Sequence, residues 1–343
     1  MPKISVIMSV YKEPLEWIRE SIDSILNQTF KDFEFIIVDD NPGDDKLLVF
    51  LKEYEGKDER ICILVNELNM GLTKSLNFAL REAQGEYIAR MDADDISCQD
   101  RFQIQYSYMI SHLEVDVCSS FYETIGDVSF LSSKIGKMPI HDIDIKDLML
   151  FNNPMVHPVS LFKSSIKGKT VFYNNEVPKA QDYQLWYELS LRGAVFANIN
   201  KVLIKYRKSC NQISRNFSNA QIEIGNRIRT ALLTKRVPSL SEDQIIIHNE
   251  ICTFQSSTYD LGAKLKYLSY LHTQLTDRSF FKSDYLSNVI SLYGFHTCLL
   301  YNQPFHFFRL PFVEKRTVFK NWFIRGLMKY YISRLYFLRF DVE

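Results

Sequence analysis

Residues 87–101 read YIARMDADDISCQDR, with three carboxylates, Asp92, Asp94 and Asp95, directly behind a short apolar run. Three such charges within four positions repel one another unless a cation or a set of donors neutralises them. Mg²⁺ and Mn²⁺ suit the role, because both prefer oxygen ligands and bind through one or two protein carboxylates plus substrate phosphates. An EF-hand loop is excluded, since Ser97 and Gln103 stand where it needs Gly and Glu. The plainer alternative is that the acids cap a helix beginning near Ser97, where negative charge suits the dipole. One acid is enough for that.

Upstream of this stretch, two periodicities alternate. ISVIMSV, FEFIIVDD, RICILVN and EYIARMD read as strands. PLEWIRESIDSILNQ, DDKLLVFLKEY and LTKSLNFALREAQG read as helices, the first with Leu15, Ile18, Ile22, Ile25 and Leu26 at helical spacing, the last with Gly85 suited to its C-terminal cap. Strands apolar throughout, separated by helices, predict a parallel sheet covered on both faces. Ligands of open parallel sheets bind beyond the carboxyl ends of the strands. Three polar clusters fall there: Val38-Asp39-Asp40, Asn66–Gly71 and Met91–Asp95. The turn after the first strand, MSVYKEP, has no glycine, which argues against a Gly-x-Gly-x-x-Gly dinucleotide site; a P-loop is also absent.

The chain has 343 residues, with 41 Lys and Arg against 41 Asp and Glu, so nothing in its charge recruits nucleic acid. Its length fits two domains. A turn-rich hinge at Lys235–Gln244 divides residues 1–235, themselves split at about residue 100, from a helical region 236–343. The six cysteines form no C-x-x-C pair and read as reduced thiols of a cytoplasmic protein. The N-terminal run MPKISVIMSVYKEP lacks a cleavage pattern and is not expected to be a signal peptide. No window reaches the roughly 18 apolar residues of a spanning helix.

The ordered pieces ISVIMSVYKEPLEWIRESIDSILNQTFKDFEFIIVDDNPGD and NMGLTKSLNFALREAQGEYIARMDADD resemble the nucleotide-binding half of a family 2 glycosyltransferase of the GT-A fold. NNPMVHPVSLF, AQDYQLW and YRKSCNQISR resemble the acceptor half of its bacterial polysaccharide members, extending the likeness to about residue 220. The resemblance implies an α/β fold with a Rossmann-like, mostly parallel sheet, flanking helices and a helical C-terminal extension. It implies an inverting, metal-dependent enzyme that moves a hexose from a UDP-sugar, or a dTDP-sugar, to a polyprenyl-diphosphate-linked saccharide in O-antigen or capsule assembly.

The family's Asp-x-Asp motif falls on Asp92-Ala93-Asp94, so Asp94 is the implied ligand of Mn²⁺ or Mg²⁺, Asp92 lies nearer the ribose and Asp95 supports them. Asp39 is the implied reader of a uracil or thymine imide, with Asp40 beside it and Ser9 and Tyr11 bordering the base. An Asx turn into Asn41–Asp45 is the alternative for both acids. Gly71 and Lys74 begin a phosphate-facing helix, unless Lys74 is merely solvated. Asp182 in KAQDYQLW is the implied general base, although Gln181 replaces the acid that usually precedes it; capping its helix is the other role open to it. Trp186 floors the acceptor or fills the core, and His157 faces a substrate or is structural. Arg207, Gln212 and Ser214 match a flexible segment that closes over the donor phosphates.

From Tyr301 to Glu343 there are thirteen aromatics and eight Lys or Arg against three acids. That composition predicts peripheral contact at the cytoplasmic face of a bacterial inner membrane, or else a helical appendage packed on the catalytic domain or in a homodimer. Two other classes are a nucleotidyltransferase, disfavoured by the missing phosphate loop, and a non-catalytic scaffold, disfavoured by the presence of both Asp94 and Asp182.

Overall fold

The computed structural model describes residues 1–126, 135–208, 219–254, 258–276 and 284–313. Its first part follows the predicted alternation: β1 (Ile4–Val10), α1 (Leu15–Leu26), β2 (Phe33–Asp39), α2 (Asp45–Glu55), β3 (Ile61–Val65), α3 (Leu72–Glu82) and β4 (Tyr87–Arg90). β1 lies between β2 and β4, with β3 outside β2, and all these ladders are parallel. Ile4, Val6, Ile7, Met8 and Val10 of β1 are fully buried, as a strand covered on both faces requires. α1 buries Ile18, Ser21, Ile22 and Ile25 at the spacing of one helix face, while Leu15 stays 40% exposed. α2 is capped by Asp44, whose side chain accepts from the N–H groups of Lys46 and Leu47.

The following residues complete the sheet in another manner. β5 (Ile96–Ser97), α4 (Arg101–Ser111), β6 (Val117–Gly126), β7 (Ile135–Gly136), α5 (Asp142–Leu148), β8 (Leu161–Lys163), β9 (Ser165–Ile166), β10 (Lys169–Thr170), α6 (Gln181–Leu191) and β11 (Phe196–Lys208) follow in order. The sheet runs β3-β2-β1-β4-β8-β6-β11-β5, with β7 on β6 and β9–β10 a separate hairpin. β8 is antiparallel to both β4 and β6, so this three-residue strand joins the two parallel blocks β1–β4 and β6–β11.

Two local expectations are corrected. Gly85 does not cap α3, which ends at Glu82 with an extended Ala83 behind it. A Cβ at Gly85 would lie 2.5 Å from Ser5 N, so the residue is small because β1 passes against it. No helix starts near Ser97 either: β5 occupies that position and α4 opens at Arg101. The acids at 92–95 therefore cap nothing.

The chain forms two compact units, Met1–Met149 with Asn153–Gly225, and Leu150–Asn152 with the chain from Asn226 onward. α7 (Asn219–Arg236) crosses the division, and α8 (Glu242–Thr253), α9 (Leu261–Thr276) and α10 (Asp284–Leu300) follow it. α8 begins with a capping box of Ser241 and Gln244. In the second unit His248 bonds through Nε2 to Leu150 O (2.9 Å) and through Nδ1 to Tyr267 Oη (2.9 Å). A carbonyl only accepts, so Nε2 carries the proton and Nδ1 accepts from the tyrosine. Burial pushes His248 down to about 3. Among the described residues no helix is long and apolar enough to cross a membrane.

Candidate active site

The carboxyl ends of β2, β3 and β4 gather the polar clusters. Asp39 closes β2 and is fully buried; its Oδ1 accepts from Asn41 N (2.9 Å), the Asx turn, while its Oδ2 has no hydrogen-bond partner among the described residues. Burial raises its pKa against that hydrogen bond, and the neighbouring Asp44 and Asp40 add to the rise. A buried acceptor left open in this way fits an N–H donor from a ligand. Asp40 differs: its oxygens accept from Asn66 Nδ2 (2.6 Å), Met70 N (2.7 Å) and Gly71 N (2.9 Å). It therefore anchors the β3–α3 loop and sets Gly71, at φ +81°, as the residue from which α3 starts. Ser9 is half-buried near the end of β1, and Tyr11 is 37% exposed, with its N–H on Glu13 Oε2 (2.8 Å). Lys74 is exposed on the first turn of α3.

Beyond β4 the ligand atoms of Asp92, Asp94 and Asp95 lie within 4.8 Å of one another. Asp92 pairs with the buried Arg90 guanidinium, and its carbonyl accepts from Ser21 Oγ (2.8 Å). Asp95 is fully buried; Oδ1 accepts from Arg207 N (2.8 Å), and Oδ2 has no hydrogen-bond partner among the described residues. Burial and then repulsion from Asp92 and Asp94 push the Asp95 carboxyl well up. Close oxygens, one of them buried and unpartnered, fit a hard divalent cation. Arg207 lies in β11, and not in a loop: its Nε donates to Asp94 O (2.7 Å), its guanidinium pairs with Glu20, and it stands 5.0 Å from the centre of the Trp17 ring. Gln212 and Ser214 lie outside the described residues.

Asp182 sits in the first turn of α6, whose N-cap is Ala180 in the left-handed region, so capping is not its role. Oδ1 accepts from Tyr183 N (2.8 Å) and Oδ2 from Asn153 Nδ2 (2.7 Å). Burial raises its pKa; the Tyr183 N–H, the charge of Arg90 and the Asn153 amide oppose the rise. A half-buried carboxylate that burial makes a better proton acceptor has the properties of a general base. His157 is buried, with Nε2 2.7 Å from Tyr173 Oη, and burial keeps it neutral by pushing its pKa well down. Trp186 is fully buried, edge-on to His157 and Phe162, which makes it a core residue and removes it as the floor of a sugar site.

Three participants escaped the sequence reading. Arg90 is one, although an arginine closing an apolar strand was a visible signal; it pairs with Asp92, and its charge also acts on Asp182, Tyr173 and His157. Asn153 is the second. The third is Tyr173, whose backbone is clasped in both directions by Asn77 of α3, at 2.8 Å each way. Arg101, fully buried, donates to Gln105 Oε1 and to the carbonyls of Arg90, Pro158 and Ser160, tying the end of β4 to the turn that carries His157.

Residues 5–161 match the family model described as Glycosyl transferase family 2. An uncharacterized glycosyltransferase of Methanocaldococcus jannaschii is 37% identical over 60% of this chain and 71% of its own length. An Escherichia coli relative named UDP-Gal:alpha-D-GlcNAc-diphosphoundecaprenol beta-1,3-galactosyltransferase is 29% identical over 61% of this chain and 75% of its own. Among solved structures, S. aureus TarS 1–349 in complex with UDP-GlcNAc superposes with a TM-score of 0.58 at 18% identity, covering 90% of this chain and 89% of that one, a likeness of fold.

Proposed function

Because this chain belongs to glycosyltransferase family 2, we propose that its first unit transfers a hexose from a UDP-sugar, or a dTDP-sugar, to a lipid-linked saccharide of a surface polysaccharide, with inversion at the anomeric carbon. The observation that carries this reading is the placement of two kinds of carboxylate around one buried guanidinium: Arg90 pairs with Asp92 of the three-acid cluster, and its charge also acts on Asp182. Asp39 offers its open Oδ2 to the imide N–H of the base, and Ser9 and Tyr11 border the ring. Asp40 acts indirectly, by fixing Gly71 and the start of α3 toward the diphosphate, with Lys74 on the exposed side of that turn. The name of the E. coli relative, with its UDP donor and diphosphoundecaprenol acceptor, supports the choice of both substrates.

Asp94, with Asp92 and Asp95 beside it, would hold Mn²⁺ or Mg²⁺. Bound there, the ion supplies Lewis-acid neutralisation of the leaving diphosphate. Asp182 accepts the proton of the acceptor hydroxyl as that oxygen bonds to the anomeric carbon and the bond to the diphosphate oxygen breaks on the opposite face. Arg90 holds Asp92 in place by direct pairing. Residues 1–235 form the catalytic domain in this reading, and the helical remainder gives peripheral contact with the membrane that carries the acceptor; of the basic, aromatic stretch Tyr301–Glu343 assigned to that contact, residues 314–343 lie outside the described residues.

Thermal stability measured with UDP, dTDP, GDP and CMP, each with Mn²⁺ and with EDTA, tests the donor site without an acceptor. Ligand at about 100 times its Kd adds roughly 2.7 kcal/mol. A metal-dependent rise with UDP or dTDP that disappears in Asp94→Asn is expected. A rise that survives Asp94→Asn overturns the metal assignment, and no rise with any nucleotide overturns the donor site.

A further inference from the structure

The side chain of Asp182 is held from two directions. On one side Tyr183 N–H donates to Oδ1, and Tyr183 is itself fixed by its hydroxyl on Met149 O (2.5 Å). On the other, Asn153, 29 positions upstream, donates through Nδ2 to Oδ2 at 2.7 Å. Asn153 has one orientation available. Its Oδ1 accepts from Met155 N (3.2 Å), so a flipped amide would lose that bond and turn an oxygen toward a carboxylate. The amide is thus set by its own backbone turn before it meets the acid. α6 has no N-cap side chain, and Asp182 takes the first-turn N–H of Tyr183 at Oδ1, which leaves Oδ2 to Asn153.

We propose that Asn153 is the positioning residue of the proton acceptor: it fixes the Asp182 carboxylate in one rotamer and stabilises its anionic form, leaving the remaining lone pairs directed at the acceptor hydroxyl. The inference rests on the reading of Asp182 as the base. A hydrogen bond given to the charged form of an acid favours that form, so removing it raises the pH at which the carboxyl titrates. The other groups facing Asp182 are Arg90 from β4, which opposes protonation, and Tyr173 from the segment before α6, neutral because burial pushes its phenol up. Neither is altered by substitution at Asn153.

The test follows the ¹³Cγ resonance of Asp182 against pH in free protein labelled at aspartate, with the signal identified by its loss in Asp182→Asn. A hydrogen bond to a charged group is a tenfold to hundredfold effect, roughly, so Asn153→Ala is expected to raise the midpoint by about one to two pH units. Asn153→Asp, nearly isosteric, splits the titration into two steps, the upper one above the wild-type midpoint. Stabilisation by UDP with Mn²⁺ stays as in the wild type in both. A midpoint unmoved in Asn153→Ala, or a single unshifted step in Asn153→Asp, overturns the inference. Where Asn153→Ala fails to fold, Asn153→Asp decides. The readout needs neither donor nor acceptor, so this failure is separate from failure of the base reading, which is shown by near-normal turnover of Asp182→Asn.

Discussion

Residues 1–95 and residues 96–208 place their carboxylates by different means. In the first stretch the backbone does it: Val10 pairs with Asp39 and Ile7 with Arg90 across β1, so strand register sets where the acids emerge. In the second, side chains from distant segments do it: Asn153 reaches Asp182 across 29 positions, and Asn77 reaches Tyr173 across 96. A ladder of parallel strands spreads its load over many hydrogen bonds, whereas a clasp of one or two side chains concentrates it. Substitutions that disturb the strand ends of the first stretch should therefore register in nucleotide binding, and those that undo a clasp on the second, Asn77 included, in turnover.

The sharpest way to break this contrast is Asp182→Asn. Turnover should fall by about 10²–10⁴, the usual worth of a general base, while the thermal rise with UDP and Mn²⁺ persists. Parallel loss of both would show that the two stretches act as one binding surface. Asn77→Ala comes next. It leaves the buried N–H and C=O of Tyr173 without their partner and should cost about 2–3 kcal/mol in denaturant unfolding, with turnover hit harder than UDP affinity. Exposed Lys74→Ala should stay within about 0.5 kcal/mol of wild type in the same measurement.

One further effect serves as a control, because it lies in the other unit. His248 titrates near 3 when folded and near 6.5 when unfolded. Below pH 6.5 the unfolded chain binds a proton that the folded one refuses, so stability is lost as pH falls from 6.5 toward 3. At pH 5.5 the loss is about 1 kcal/mol relative to neutral pH. His248→Gln should flatten that dependence in urea melts of the second unit and leave the Asp182 titration unchanged.

The contrast also explains how far the sequence could be read. β1–β4 and their helices carry strong periodicity, and Asp39, Asp92, Asp94 and Asp95 stand at strand ends where the fold class alone locates them. β5 and β8 have two and three residues, too few to show a period. The partners of Asp182 are remote in sequence, and asparagines carry no local mark of whom they will meet. Trp186 showed the limit differently: spacing left core and sugar floor open, and only its complete burial decided. Arg90 was open to view, since a buried strand seldom ends in a guanidinium without an acid to meet it.

The excursion of Leu150–Asn152 into the second unit has a consequence for biosynthesis. Phe151 packs its ring 5.0 Å from those of His248 and Tyr293, and the Leu150 carbonyl waits for a donor 98 residues further along the chain. At about 5–20 residues per second, a ribosome needs roughly 5–20 seconds to deliver that donor. Throughout that interval Phe151 and the Leu150 carbonyl lack the partners they meet in the second unit. Translation must therefore run past residue 248, and for the second ring past Tyr293, before the short segment that precedes Asn153 in the chain meets its partners.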